Sequence, residues 1–156
     1  MKQILLILIG LSITIQADRF SRDDTTNIVT DSLTNLQWQD EPYTQAEEDA
    51  YDNNTEEGKV LFWQNAINYC ENLTLGGKSD WRLPNFNELY YIADRSRYNN
   101  AIYPNSFNNV TSNYYWSSTT NASDSDNAWI VNSKYGNDNN NDKSYSRFVR
   151  CVRAGL

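Results

Sequence analysis

The stretch Asp80-Trp81-Arg82-Leu83-Pro84-Asn85-Phe86-Asn87-Glu88-Leu89 carries the strongest local folding signals of the chain. Asn85 followed by Glu88 is a capping-box pattern, in which each side chain accepts a hydrogen bond from the backbone N–H of the other residue. Pro84 disfavours helix in the residues before it. Apolar side chains then recur at helical spacing, at Phe86, Leu89 and Ala93. A short helix is therefore predicted to begin at Asn85 and to run to about residue 94.

The three residues that open this stretch are predicted to support the helix. Trp81 is placed to pack under it. Arg82 offers five donors, which can reach backbone carbonyls or a carboxylate such as Asp80. A contact of Arg82 with an anion or a sugar is the alternative, but an arginine in such a run most often satisfies backbone oxygens. We therefore interpret Asp80, Trp81, Arg82, Pro84, Asn85 and Glu88 as one structural motif.

The first seventeen residues have the pattern of a secretory signal peptide. Residues 1–3 supply a short positive start, residues 4–15 are an apolar run, and Ala17 is a small residue at a cleavage position. A membrane-spanning helix is the weaker interpretation, because the run is shorter than the roughly 20 residues that a bilayer needs. We predict an exported protein, periplasmic or extracellular, with no membrane span after cleavage of residues 1–17.

The negative charge balance disfavours polyanionic partners. The chain has 13 basic and 20 acidic residues, and removal of residues 1–17 takes away only Lys2, so the net charge changes from −7 to −8. Nucleic acid is not a predicted partner, because its binding needs clusters of Lys and Arg against phosphates. The same charge disfavours general capture of sulfated polysaccharides. The 5 Trp and 11 Tyr suit an extracellular recognition surface.

Cys70 and Cys151 are the only cysteines of the chain, and both would reach an oxidising compartment. We interpret them as one disulfide. Such a bond would close a loop of about 80 residues. On the chain-entropy model it stabilises the fold by roughly 4.5 kcal/mol, because it reduces the conformational entropy of the unfolded state. Two reactive thiols are the alternative, which is disfavoured because neither cysteine lies in a Cys-x-x-Cys pair or beside a histidine.

The N-terminal half is predicted to contain an arm, a hairpin and an acidic loop. Residues 18–27 are polar and are predicted to be a flexible arm. Residues 28–31 and 36–39 are strand-like, and Asn35 between them can supply a left-handed turn position, which indicates a hairpin. Residues 40–59 are acidic and nearly free of aliphatic side chains, so we predict a solvated loop.

The clearest helix is predicted over residues 60–73. Apolar side chains line one face at spacings of three and four residues, at Trp63, Ala66, Ile67, Cys70 and Leu73. Gly76 and Gly77 then stop the helix. Because Cys151 lies in the alternating run of residues 148–153, the disulfide would join this helix to the last strand.

The C-terminal half is predicted to consist of strands and polar loops. Strand-like segments occupy residues 114–119, 128–135 and 144–153. Polar or aperiodic loops occupy residues 99–113, 120–127 and 136–143. The last of these is rich in Asn and Asp, which favour turns by bonding their own backbone, so it is predicted to be a hairpin loop.

Four segments together resemble the C-terminal domain of the Legionella collagen-like protein (Lcl), a widespread bacterial domain of otherwise unknown function. They are DSLTNLQWQ (31–39), AINYCENLTLGGKSDWRL (66–83), YWSST (115–119) and RCVR (150–153). The resemblance covers almost all of residues 28–154, so we predict one domain over residues 28–156. It implies an α+β, C-type-lectin-like fold, with two helices packed on a small, mainly antiparallel twisted sheet, long loops and one helix-to-last-strand disulfide.

The resemblance is suggestive for function. The named relative is an adhesin whose domain is associated with sulfated glycans and is carried on a trimeric collagen stalk. The present sequence has no collagen-like Gly period, and its net charge is negative where a polyanion binder needs positive potential. The calcium-dependent sugar motif of C-type lectins is also missing, because there is no Glu-Pro-Asn tripeptide and Trp116 precedes Ser117-Ser118 rather than Asn-Asp.

Seven residues are candidates for ligand binding: Tyr115, Trp116, Ser117, Asp124, Asp126, Asp138 and Asp142. An aromatic ring with neighbouring serines can stack on and hydrogen-bond a sugar, although a Trp-Ser-Ser strand is more often part of the core, with its polar groups bonded to the backbone. Residues 138–142 begin like an EF-hand loop, but Lys143 takes the position that needs Gly and Val149 the position that needs Glu. We predict no metal and no cofactor, with calcium in an irregular site of the four aspartates as the alternative.

An enzyme is not predicted. Without histidine there is no Ser-His or Cys-His nucleophile system and no histidine-bearing zinc site. A carboxylate pair for glycoside hydrolysis stays open among 20 acidic residues, but no spacing singles one out.

Two functions from different classes remain. The first is an exported binding module that presents its loops, residues 39–59, 99–113, 120–127 and 136–143, to a glycan or an envelope or extracellular protein. The second is a structural, adhesin-like envelope component that acts by self-association as a homo-oligomer.

Overall fold

A computed structural model of the chain describes residues 18–97, 101–102 and 106–155. The predicted signal peptide lies outside the described residues, as does the Tyr103-Pro104 pair of the predicted loop 99–113. The strands are β1 Phe20–Asp23, β2 Ile28–Asp31, β3 Leu36–Gln39, β4 Val60–Leu61, β5 Tyr114–Asn121, β6 Asp124–Asn132, β7 Asp138–Asp142, β8 Arg147–Phe148 and β9 Val152–Ala154. The helices are α1 Gln45–Asn53, α2 Trp63–Asn72 and α3 Phe86–Tyr91.

The strands form two sheets. The first has the order β1-β2-β3-β9 and is antiparallel throughout. The second has the order β4-β8-β5-β6-β7, in which β5 and β8 are parallel and the other pairs antiparallel. This is an α+β fold with three helices among the described residues, where two were expected, and the C-type-lectin-like label stays a prediction. No helix within the described ranges is long and apolar enough to span a membrane.

The second sheet has a hydrophobic cluster on each face. Successive strand residues point to opposite faces. Tyr115 accordingly packs in one cluster with Leu89 of α3 and Phe148, whereas Trp116 packs in the other with Ala66 of α2. Both faces of β5 are therefore covered at Tyr115, Trp116 and Ser117, which are buried, whereas the second half of the strand is half-buried.

The disulfide between Cys70 and Cys151 is present, as predicted. The two Cα atoms are 5.5 Å apart, and both residues are fully buried. Cys70 belongs to α2, and Cys151 directly precedes β9. The bond therefore connects the helix on one face of the second sheet to the last strand of the first sheet.

The capping box of α3 is also present. The Asn85 side chain accepts a 2.9 Å hydrogen bond from the Glu88 backbone N–H, and Glu88 accepts one of 2.9 Å from that of Asn85. The helix ends at Tyr91 rather than near residue 94, because Ala93 forms a β-bridge with Ile102. The start of the helix was thus readable from local sequence, and its end was set by a distant segment.

Two N-terminal predictions need correction. Residues 18–27 are not a flexible arm, since β1 pairs with β2 and Phe20 is buried in the core. The predicted acidic loop contains α1, which begins with a capping box between Thr44 and Glu47. Glu47 is buried, and its carboxylate accepts a 2.6 Å hydrogen bond from the backbone N–H of Lys59. The same carboxylate forms an ion pair with the Lys59 ammonium group at 3.0 Å.

The predicted boundaries in the rest of the chain also change. The helix predicted from residue 60 begins at Trp63, because Val60–Leu61 pairs with β8. The predicted hairpin loop of residues 136–143 contains β7, which pairs along its whole length with β6. The strand predicted over residues 144–153 is divided between β8 and β9, which belong to different sheets.

Candidate binding groove

The predicted aromatic ligand residues are core residues. Tyr115, Trp116 and Ser117 are all fully buried. The Trp116 indole N–H donates to the Leu61 carbonyl at 3.0 Å, and the Ser117 hydroxyl donates to the Trp129 carbonyl at 2.8 Å. These groups are satisfied inside the fold, so the structure corrects the prediction that they contact a ligand.

The four predicted aspartates are exposed but do not converge. Asp142 lies opposite Asn127 and Asp138 lies opposite Val131, at the two ends of β7. Four residues of strand separate these ends by about 13 Å. Asp124 is already engaged, since it accepts from the Asp126 backbone and from the Asn127 amide. Across residues 18–97, 101–102 and 106–155, no group of three or more Asp, Glu or Cys residues could hold a metal ion.

The motif before α3 forms two ion pairs other than the expected one. Arg82 pairs bidentately with Glu88, at 2.7 and 2.6 Å, rather than with Asp80. Asp80 instead accepts two bonds from Arg153, at 2.7 and 3.1 Å. Trp81 is 2% exposed and packs in the cluster of α2 rather than under α3. These residues act structurally, as predicted, with different partners.

The described residues form a groove between the first sheet and α3, with a volume of about 230 Å³. Its lining is almost wholly apolar where it is exposed. From the first sheet and its hairpin it includes Asp31, Thr34, Leu36 and Trp38, and from α3 and its end Asn87, Glu88, Tyr91 and Ile92. Trp38 and Ile92 are each 1% exposed and form the deep part, whereas Tyr91 is 53% exposed and stands at the mouth.

Local sequence builds both walls of this groove. Asn35 has φ +55° and closes the β2–β3 hairpin, which fixes the pairing of Asp31 with Leu36. The capping box starts α3 so that Asn87 and Tyr91, four residues apart, lie on one face of the helix. The segment of residues 31–39 therefore supplies one wall, and the helix that starts at the Asn85–Glu88 capping box supplies the other.

The carboxylates at the rim are neutralised by arginines. Asp31 accepts bonds of 2.9 and 2.6 Å from Arg19, and Glu88 accepts its bidentate pair from Arg82. Burial alone would raise the pKa of Asp31, but hydrogen bonds from Arg19 and Thr34 outweigh it and lower the pKa. The pKa of Glu88 is likewise lowered, because bonds from Arg82 and the Asn85 backbone outweigh the effect of burial. Both groups are ionised at neutral pH, so the rim is balanced in charge.

Arg19 also positions the aromatic ring at the mouth. Its guanidinium carbon lies 4.4 Å from the ring centroid of Phe20 and 4.6 Å from that of Tyr91. Cations over aromatic faces at this distance attract the ring electrostatically. Because Arg19 is simultaneously held by Asp31, the exposed ring of Tyr91 packs against a cation that is itself anchored to the first sheet.

One buried donor in the groove wall is unused. The indole N–H of Trp38 is buried and has no hydrogen-bond partner among the described residues. Buried indole N–H groups usually have an acceptor. The nitrogen itself has essentially no exposed surface, so it is an unsatisfied donor inside the fold rather than a contact for a bound group.

Replacing Asp31 with asparagine is expected to make the free energy of unfolding fall less steeply as the pH is lowered into the acid range. The folded pKa of Asp31 lies below its ordinary value of 3.8, so the unfolded chain binds this proton more readily. The stability that Asp31 contributes is present above that value and is lost as pH falls through the folded pKa. Urea denaturation from about pH 7 to about pH 3 should show a lower plateau and a shallower acid decline for the variant. Asp52→Asn, an exposed change on α1, is the control; equal slopes for wild type and Asp31→Asn would contradict the prediction.

Sequence reasoning missed most of the groove. Asp31, Leu36, Trp38 and Tyr91 were not candidates, although the first three lie in a segment quoted for its family resemblance. A single sequence gives no signal that α3 crosses beside β2 and β3, because that contact joins segments about 50 residues apart. The capping box was found, but only as a structural feature.

Comparison with known families identifies the domain. The family model described as the Lcl C-terminal domain matches residues 27–153. This range contains all the described residues that line the groove. No curated protein matches the chain.

Proposed function

The chain belongs to the Lcl C-terminal domain family, and we propose that it is an exported, non-enzymatic binding module of the bacterial envelope. In this proposal the groove holds an apolar part of a glycan or of an envelope protein. The observation that carries it is a mostly apolar groove with a charge-balanced rim and, at its mouth, a tyrosine packed against Arg19. Ligand sites are typically concave and mostly apolar with few polar groups, and the volume of about 230 Å³ fits a small apolar part of a larger partner. Export, to the periplasm or beyond the cell, rests on the signal-peptide pattern of residues 1–17.

Binding is favoured over hydrolysis by the state of the two rim carboxyls. A general acid needs a pKa near the working pH, whereas the pKa values of Asp31 and Glu88 are both lowered. Their oxygens already accept bonds from Arg19, Arg82 and nearby backbone or hydroxyl donors. Neither group therefore has a proton to give or an oxygen left idle for water activation.

The proposed surface differs from the one expected from sequence. Of the four polar loops, residues 39–59, 99–113, 120–127 and 136–143, no residue that the structure describes contributes to the groove lining. The proposed binding site is therefore formed by the β2–β3 hairpin and α3 rather than by the polar loops.

Replacing Tyr91 with alanine is expected to weaken glycan binding roughly fivefold, because a stacked ring contributes on the order of 1 kcal/mol. The measurement is a glycan array, with and without calcium, followed by titration of the glycans that bind. Tyr145→Ala is the matched control, since Tyr145 is 45% exposed and lies outside the groove. Equal loss in both variants would contradict a role for the groove. No binding on the array, together with no capture of an envelope protein that depends on Tyr91, would contradict the proposed function.

The self-associating envelope component is the second candidate. A specific observation favours it: Leu33, at the tip of the β2–β3 hairpin beside the groove, is 66% exposed.

A further inference from the structure

The β2–β3 hairpin presents an apolar side chain to solvent next to the groove. Leu33 is the most exposed large hydrophobic residue within the described ranges, at 66%. Thr34, its neighbour in sequence, lines the groove. Leu33 and the groove therefore belong to one continuous patch of surface, with an apolar protrusion beside an apolar depression.

The hairpin tip is held rigidly. The Leu33 backbone N–H donates to Asp31 at 3.0 Å, and the Thr34 hydroxyl donates to the same carboxylate at 2.8 Å. The Ser32 backbone N–H donates to the Arg19 carbonyl at 2.8 Å. On the far side, the Asn35 amide donates to the Gly155 carbonyl at 2.8 Å. A tip fixed in this way loses little conformational entropy on docking, which favours binding.

We infer that the groove of one copy receives the Leu33 tip of a second copy, and that the two tips exchange across a two-fold axis. The inference rests on the proposed function of the groove as a binding site and names its partner. In a two-fold interface the same patch meets itself. A patch that carries both a protrusion and a depression can therefore fill both depressions at once.

The size and chemistry of the groove suit this partner. Its volume of about 230 Å³ is below the roughly 300–1,000 Å³ of sites for drug-sized ligands, so it fits one side chain and its flanking backbone.

The local charge allows two copies to meet. Two copies of a chain with a net charge of −7 repel each other in general. At the groove, however, Asp31 is paired with Arg19 and Glu88 with Arg82. The patch therefore carries two positive and two negative groups, and a second copy meets no excess of like charge there.

The first test is the mass of the full chain, without its signal peptide, by light scattering and sedimentation over micromolar to millimolar concentration. The expected result is a rise from one chain to two. Leu33→Asp is expected to weaken the dimer at least tenfold, because it brings two carboxylates into apolar grooves. Tyr145→Asp, a change at another exposed apolar residue, is expected to dimerise like the wild type. Far-ultraviolet circular dichroism checks that both variants are folded.

The second test locates the contact. Leu33→Cys protein is mixed with Asn87→Cys protein under mild oxidation, while the native cysteines stay locked in their disulfide. A disulfide between the two different chains is expected, and Tyr145→Cys in place of Asn87→Cys is expected to give none. Equal cross-linking to position 145 would overturn the inference.

The outcomes separate this inference from the proposed function. A monomer at every concentration, or a Leu33→Asp variant that dimerises like the wild type, overturns the inference, even if the array shows binding of a glycan that depends on Tyr91. A dimer that is lost in Leu33→Asp supports the inference, even if the array and the envelope extract yield nothing.

Discussion

Replacing Asp40 with asparagine should lower the free energy of unfolding by about 3–5 kcal/mol, the usual cost of removing one partner from a buried ion pair. The Asp40 side chain, just after β3, is fully buried. One oxygen accepts from Arg150 at 2.7 Å, and the other accepts from Arg22 at 3.0 Å. The backbone N–H groups of Asn108 and Asn109 also donate to it, at 2.9 and 3.3 Å.

The loss is large because Arg150 cannot reach water. Its side chain is 1% exposed, and its remaining bonds go to the carbonyls of Gln39 and Asn109. Its guanidinium lies 5.0 Å from the ring centroid of Phe107. Without the Asp40 charge this cation stays buried and uncompensated, and the backbone N–H groups of Asn108 and Asn109 lose the anion to which they donate.

Urea denaturation of wild type and variant measures the effect. Asp94→Asn is the control, because the exposed pair of Asp94 with Arg97 should contribute less than about 1 kcal/mol. The double variant Asp40→Asn, Arg150→Met should lose less than the two single variants together, since it removes both charges. Additive losses, or a cost for Asp40→Asn no larger than for the control, would show that the network contributes little.

The second large effect is expected from the disulfide. The double variant Cys70→Ala, Cys151→Ala should unfold at lower denaturant, with about 2–5 kcal/mol less stability, because the unfolded chain regains the freedom of a long loop. The two cysteines are 81 positions apart and fully buried. A reductant should therefore act on the wild type only after it unfolds.

Reduction separates the cross-link from the packing of the sulfur atoms. In the presence of reductant, the free energy of unfolding of the wild type should fall by most of the amount by which the double variant is destabilised. The same reductant should leave the free energy of unfolding of the double variant unchanged. The alanines alone add a small void next to Trp81 and Trp116. A wild type whose unfolding is insensitive to reductant would contradict the prediction.

Local signals predicted part of the fold. The Asn85–Glu88 capping box gave the start of α3, Asn35 gave the first hairpin, and the presence of only two cysteines gave the disulfide. These features depend on residues close in sequence or on composition. The same type of signal was present at Thr44 and Glu47, but the acidic composition around it was interpreted as a loop.

The strands that were missed depend on tertiary contacts. The sequence of β7, DNNND, is typical of turns, and it is extended because β6 pairs along it. The β-propensity of a segment reflects its neighbours more than its own residues. Strand β1 contains only one large apolar residue, Phe20, whose burial depends on packing against Phe107.

The candidate site was less predictable than the fold. Tyr115, Trp116 and Ser117 were candidates for ligand binding, with a core strand as the more common role of such a run, and cover on both sides of the sheet buries all three. Sheet β4-β8-β5-β6-β7 is covered by α2 on one face and α3 on the other. The groove needs the position of α3 relative to the first sheet, which no single-sequence pattern encodes.

The register of the first sheet has a mechanical consequence. Phe20 lies opposite Asp31, Asp31 opposite Leu36, and Leu36 opposite Ala154. The points where the chain enters β1 and leaves β9 are therefore in one row, about 14 Å apart. A tensile load applied through both ends would peel the two outer strands from opposite edges. On the C-terminal side the peeling would halt at Cys151, whose bond to α2 shields the enclosed 81-residue span from extension.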